Sequence, residues 1–153
     1  MLLSHKYKFI FIKTKKTAGT SVEIELNKIM SDEDIVTPIK PPHSNHFPRN
    51  YIFGKKKLFN HINATDIKQI IPSSIFNNYF KFCIEREPVE KCLSDFFMYK
   101  NSPYHNFKYL NYTWENYLNK AIFPIDTKKY TDHKNNLCVD KIIKYENLEL
   151  ELH

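Results

Sequence analysis

Glycine is nearly missing from this chain. Among 153 residues there are 2, Gly19 and Gly54. A Walker A loop needs two glycines and places its lysine after the second. Here the lysines come before a single glycine, which disfavours a mononucleotide kinase or NTPase. Cysteine is scarce as well. Cys83, Cys92 and Cys138 make an odd count without the spacing of a metal site. Cys83 and Cys92 fall in apolar patterns and read as small core residues in a reducing compartment. No apolar run approaches the roughly 20 residues of a transmembrane helix. The opening Met-Leu-Leu-Ser-His is too short for a secretory signal. Repeats and low-complexity tracts are absent. The expectation is a single domain over residues 1–153 in the cytoplasm, with no transmembrane segment.

Charge and aromatic residues are plentiful. Lys and Arg number 23 against 17 Asp and Glu, a net +6. That excess either favours anionic partners (phosphates, sulfated or acidic glycans, nucleic acid) or is simply a basic surface. Hydrophobic residues make up 42%, with 12 Phe and 10 Tyr, enough for a core. The aromatics sit at core spacing, which argues against a nucleic-acid binder.

The most informative stretch is Lys13-Thr14-Lys15-Lys16-Thr17-Ala18-Gly19-Thr20-Ser21. It follows the apolar run 7–12 and precedes Val22, Leu26, Ile29 and Met30 at helical spacing. The order reads as buried strand, tight loop, helix to about Met30. A helix N-terminus offers unpaired N–H groups and a favourable dipole to an anion. Gly19 would allow close backbone approach, Thr20 and Ser21 add hydroxyls, and Lys16 adds a cation. The plain alternative is a strand–helix turn carrying solvated lysines. Glu23 and Glu25 would complement the helix dipole.

Residues 31–58 carry Pro38, Pro41, Pro42 and Pro48 and read as a loop-rich excursion. Leu58–Ile62 is a candidate strand with His61 at its carboxyl end, where open α/β sheets place ligands. His61 is then either a general base or a capping and packing residue. Asn63 or Thr65 can cap a helix bearing Ile67, Ile70 and Ile71. Residues 79–84 form a second buried strand. Pro88 suits the first position of a helix whose apolar set is Val89, Cys92, Leu93, Phe96 and Phe97. Arg86 and Ser94 either converge on one phosphate or Arg86 pairs with Glu87 or Glu90. Trp114, Tyr117, Leu118 and Ala121 suggest a core helix stopped by Pro124, and 139–145 a third strand. These units point to an α/β fold with a mainly parallel central sheet flanked by helices.

Together, these stretches resemble the sulfotransferases that use 3′-phosphoadenosine 5′-phosphosulfate (PAPS), the carbohydrate sulfotransferase-like branch above all. Lys16-Thr17-Ala18-Gly19-Thr20-Ser21 is similar to that family's phosphosulfate loop. Arg86, Pro88 and Ser94 match its Arg-x-Pro segment with a serine eight residues after the arginine. His61-Ile62-Asn63-Ala64-Thr65, Tyr79-Phe80-Lys81-Phe82 and Tyr145-Glu146-Asn147-Leu148 are similar to further family phrases. Three positions depart from the pattern: Lys15 stands for a proline, Lys13 for a histidine and Lys91 for a second arginine.

The resemblance implies a P-loop NTPase-like fold and sulfuryl transfer from PAPS to a hydroxyl acceptor, with a carbohydrate as the acceptor class. It implies Lys16 and His61 as catalytic residues. Lys16, Thr17, Ala18, Gly19, Thr20 and Ser21 would bind the 5′-phosphosulfate, and Arg86 and Ser94 the 3′-phosphate. Neither a metal nor a nucleic-acid partner is implied. Family members continue past the Glu-Asn-Leu phrase with further helices. The alternative is therefore a catalytically inactive remnant that binds PAP or a sulfated ligand.

Overall fold

The computed structural model describes residues 1–101 and 111–151. In chain order its elements begin with β1 (Leu2–Ser4), β2 (Phe9–Ile12), α1 (Gly19–Asn27) and β3 (Ile35–Val36). A small hairpin, β4 (Ile52–Phe53) and β5 (Lys56–Lys57), turns at Gly54, whose φ is 58°. Two short helices follow, α2 (Ala64–Ile70) and α3 (Ser73–Asn78). Then come β6 (Phe80–Glu85) and the long α4 (Pro88–Asn101). The last described elements are α5 (Trp114–Asn119), α6 (Thr127–Tyr130), β7 (Lys141–Lys144) and α7 (Leu148–Glu151).

The main sheet has five strands in the order β3-β1-β2-β6-β7. Strands β2, β6 and β7 are parallel, pairing Ile12 with Cys83 and Glu85 with Lys144. Strands β1 and β3 are antiparallel additions. The sheet is therefore mixed: β2, β6 and β7 are parallel as expected, and β1 and β3 extend it antiparallel. Leu2 and Leu3 are too short a run to read as a strand alone. They pair because the turn at residues 5–8 folds them back onto β2.

Alternation divides the strand residues between two cores. Ile10, Ile12 and Cys83 pack on one side with Leu58, Ile62 and Ile67. Phe11, Phe82 and Ile84 pack on the other with Leu2, Val22 and Ile143. Both faces are covered, as near-continuous apolar strands require.

Several expectations change. Leu58–Ile62 is not a strand: Leu58 and Ile62 are buried anchors around a turn at Asn60 and His61. Its five residues match strand composition, but burial of only the two ends pins a turn equally well. Helix α1 ends at Asn27, short of Met30, and Glu23 lies beyond its first turn. Glu23 is wholly buried and serves as an ion-pair partner, not as a dipole complement. On α4 the buried residues are Lys91, Asp95 and Phe96, while Val89 and Phe97 are exposed. Of these polar residues, Asp95 borders the cavity described below, while Lys91 is buried against Glu85 and Asp126. Helix α5 ends at Asn119, before Pro124, and buries Tyr117 but not Leu118 or Ala121.

Candidate active site

Parallel pairing of β2 with β6 brings their carboxyl ends side by side. The loop after Ile12 and the segment after Glu85 therefore meet, although about 70 positions separate them in sequence. Open α/β sheets bind ligands at such ends. A cavity of about 590 Å3 lies there. It is lined by Lys16, Ala18, Gly19, Thr20 and Ser21 of the loop, by His61, and by Arg86 and Ser94.

Thr17 does not line it. Its side chain is fully buried, and its Oγ1 lies 2.9 Å from Thr14 Oγ1. Thr14 in turn donates to the Ile84 carbonyl. These hydroxyls anchor the loop to the end of β6, so any part Thr17 has toward a ligand is through its backbone.

The loop takes an unusual backbone course. Lys16 and Ala18 have φ of 60° and 55°, flanking Thr17. Left-handed residues alternating with right-handed ones turn successive N–H groups toward one point, an anion-binding nest. Helix α1 opens directly after Ala18, adding its own unpaired N–H groups and dipole.

Gly19 lines the cavity, and its lack of a side chain has a further role. A Cβ there would lie 2.8 Å from Lys13 Cγ. Its bare Cα thus makes room for Lys13. Lys13 is 2% exposed, and its Nζ donates to Glu23 Oε2 at 2.7 Å and Thr20 Oγ1 at 2.9 Å. Both ends of the Lys13 side chain are held, so it cannot swing aside. Gly19→Ala is expected to destabilise the fold by about 1–3 kcal/mol, the usual cost of overpacking; urea unfolding measures it.

His61 sits on a turn with φ 60°. Its Nδ1 lies 3.1 Å from the Lys13 carbonyl. A carbonyl only accepts, so this bond needs the proton on Nδ1 and leaves the Nε2 lone pair free. Burial, with Lys13 and Lys129 nearby, pushes His61 down to about 4 from its ordinary 6.5. The unfolded chain therefore binds this proton first as pH falls. The related stability is full above about 6.5 and is lost as pH drops toward 4. His61→Gln is expected to reduce acid sensitivity in that window, read as a smaller fall in thermal midpoint between the two pH values.

The cavity is strongly cationic. Among the described residues, Lys13, Lys15, Lys16, Lys40 and Arg86 line it against one acid, Asp95. Burial lowers the Lys16 pKa, with Asp95 opposing and Arg86 adding to the effect. Asp95 is 8% exposed, accepts from the Tyr117 hydroxyl at 3.2 Å, and is pushed up by burial. Arg86 Nη2 donates to Glu90 at 3.1 Å, and its guanidinium stacks 4.4 Å from the Tyr145 ring centre. Arg86 thus makes the ion pair with Glu90 and also lines the cavity. Its Nε is buried and lacks a partner among the described residues.

Lys91 is turned away from this cavity. It pairs with Glu85 at 2.8 Å and Asp126 at 2.9 Å. Sequence reasoning missed Asp95, Lys40 and Tyr145 as wall residues. Asp95 had one signal, its place beside Ser94. Lys40 had none, because only the fold of residues 37–49 brings it near. Among the described residues no three His, Cys, Asp or Glu side chains cluster as a metal site, and no helix is long and apolar enough to cross a membrane.

The model of the sulfotransferase family matches residues 1–149. The chain belongs to the sulfotransferase family. Comparison with curated proteins and with solved structures returns no match. A match over nearly the whole chain makes this a transferase of sulfuryl groups by family. The α/β architecture with its mixed sheet is consistent with that fold.

Proposed function

We propose that this sulfotransferase takes its sulfuryl group from PAPS and transfers it to a hydroxyl of a carbohydrate acceptor. The observation that carries the reading is the single cavity into which the loop, His61, Arg86 and Ser94 all face. Its cation-rich lining among the described residues, where Lys15, Lys16 and Lys40 add to the paired Lys13 and Arg86, suits a nucleotide with two phosphate-bearing ends. Its size falls in the range of small-molecule sites.

The donor, when bound, supplies an activated sulfuryl group on its 5′-phosphate. Loop N–H groups from Ala18 to Ser21 hold that end. Arg86 and Ser94 hold the 3′-phosphate, the buried Nε of Arg86 being a donor in need of an acceptor. Lys16 places positive charge where the leaving oxygen gains negative charge. Nε2 of His61 accepts the proton of the acceptor hydroxyl. A bound polyanion beside His61 favours its charged form and raises its low basicity.

The test is titration of PAP against wild type and Arg86→Ala, followed by thermal shift. Ligand at about 100 times its dissociation constant stabilises by about 2.7 kcal/mol. We expect saturable stabilisation in wild type and its loss in Arg86→Ala. Absence of any shift in wild type counts against the donor assignment.

A second reading has one observation in its favour. With its pKa at about 4, His61 is a weak base at neutral pH. That suits a catalytically inactive binder of PAP or a sulfated ligand. Tight PAP binding without sulfuryl transfer across sugar and phenol acceptors would select it.

A further inference from the structure

Residues 126–130 lie outside the cavity lining, yet they grip both of its reactive turns. Asp126, the residue before α6, is 2% exposed. Its Oδ2 accepts the Lys15 N–H at 2.6 Å and the Lys91 ammonium at 2.9 Å. Lys91 is itself buried and bonded to Glu85 at the end of β6, so Asp126 is held from behind. Three residues on, Lys129 donates from Nζ to the His61 carbonyl at 2.6 Å. The Lys129 N–H donates to the Asp126 carbonyl at 2.7 Å, so both side chains spring from one turn of backbone.

What they grip is strained. Lys16, next to the bonded Lys15, and His61 itself both have φ of 60°. Non-glycine residues keep that conformation only where surrounding bonds hold it. Bonds to charged side chains in partly buried surroundings are strong enough to do so. Lys129 also feels the like charge of Lys15 and Lys91, and the Asp126 carboxylate opposes that.

We infer that Asp126 and Lys129 form a clasp that positions Lys16 and His61 against each other. Both are positioning residues, since neither lines the cavity. What the clasped pair then does rests on the sulfotransferase reading above; the clasp itself does not.

The experiment compares wild type with Asp126→Ala, Asp126→Asn, Lys129→Met and, as a control, Lys128→Met at an exposed neighbour. Amide hydrogen exchange is followed by NMR at Lys15 and at Ile62, whose N–H closes the His61 turn onto the Phe59 carbonyl. PAP affinity is measured alongside. Asp126→Ala is expected to speed Lys15 exchange about tenfold or more, as for a locally opened segment. It should also weaken PAP by about 10–100-fold, the order that a displacement of about 1 Å costs at such a site. Asp126→Asn keeps an oxygen acceptor and should recover most of the Lys15 protection. Lys129→Met should speed Ile62 exchange while leaving Lys15 protected. Lys128→Met should change neither.

Wild-type exchange at Lys15 in Asp126→Ala, or at Ile62 in Lys129→Met, overturns the clasp. Should Asp126→Ala fail to fold, Lys129→Met decides by the Ile62 reading. A wild type without PAP affinity sinks the donor assignment, and the exchange measurements still decide the clasp.

Discussion

Lys16→Ala is expected to lower sulfuryl transfer by about 100–1,000-fold, the cost of removing one well-placed charge-stabilising donor. Lys16 is half-buried on the cavity wall, between the loop and the Arg86 side. Burial there removes competing water and strengthens its field on a neighbouring oxygen. The same burial lowers its pKa, and Asp95 works against that. The backbone at position 16 is left-handed for lysine and for alanine alike. The substitution therefore adds no new strain, and the thermal midpoint should move little. That separation is the value of the variant: lost turnover with an intact fold places the defect in the chemistry. The measurement is turnover of PAPS with a sugar acceptor, alongside a melting curve. Unchanged turnover would remove Lys16 from the reaction.

The second large effect falls on stability. Glu23→Gln is expected to destabilise the fold by about 3–5 kcal/mol, as when one partner of a buried ion pair is lost. Glu23 is fully buried, and its two oxygens meet Lys13 Nζ at 2.7 Å and the Met1 nitrogen at 2.5 Å. Glutamine leaves the Lys13 ammonium buried without its counter-charge. Denaturant unfolding measures the loss, and a change below about 1 kcal/mol would reduce this pair to the worth of a surface bridge. Burial alone would raise the Glu23 pKa, but the Met1 ammonium and Lys13 overcome it and hold it below 4.5. The sign follows. A carboxylate with a lowered folded pKa adds stability above its unfolded value, and that stability is lost as pH falls below it. Wild type should therefore lose stability below about pH 4.5 more steeply than Glu23→Gln.

The chain's own order of residues determined the local units. Apolar residues at 10–12 and 82–84 became strand segments buried on both faces, because two-sided burial demands near-continuous apolar side chains. The end of the loop at Gly19-Thr20-Ser21 marked a helix entry, which α1 makes two to three residues earlier than expected, at Gly19, and Pro88 marked the start of α4, because helix entry depends on a few adjacent residues. The loop, His61 and Arg86 were legible as candidates because each sits between two elements, and Ser94, inside α4, by its spacing of eight residues from Arg86.

What joins them was decided in three dimensions. Parallel pairing of β2 with β6 sets the loop beside Arg86, and no local pattern states which strands pair. Folding the first residues back as β1 made the sheet mixed. Lys13 read as a solvated loop lysine, yet it is buried because Glu23, ten positions later, faces it across the bare Cα of Gly19. Thr17 read as a ligand contact, yet its hydroxyl points to Thr14. Side-chain direction in an irregular loop follows from long-range hydrogen bonds rather than from a period of two or 3.6 residues. The hold of Asp126 on Lys15 spans 111 positions and left no mark in sequence spacing. Secondary structure here follows from neighbours along the chain, whereas the site follows from contacts that form only when distant strands have chosen their partners.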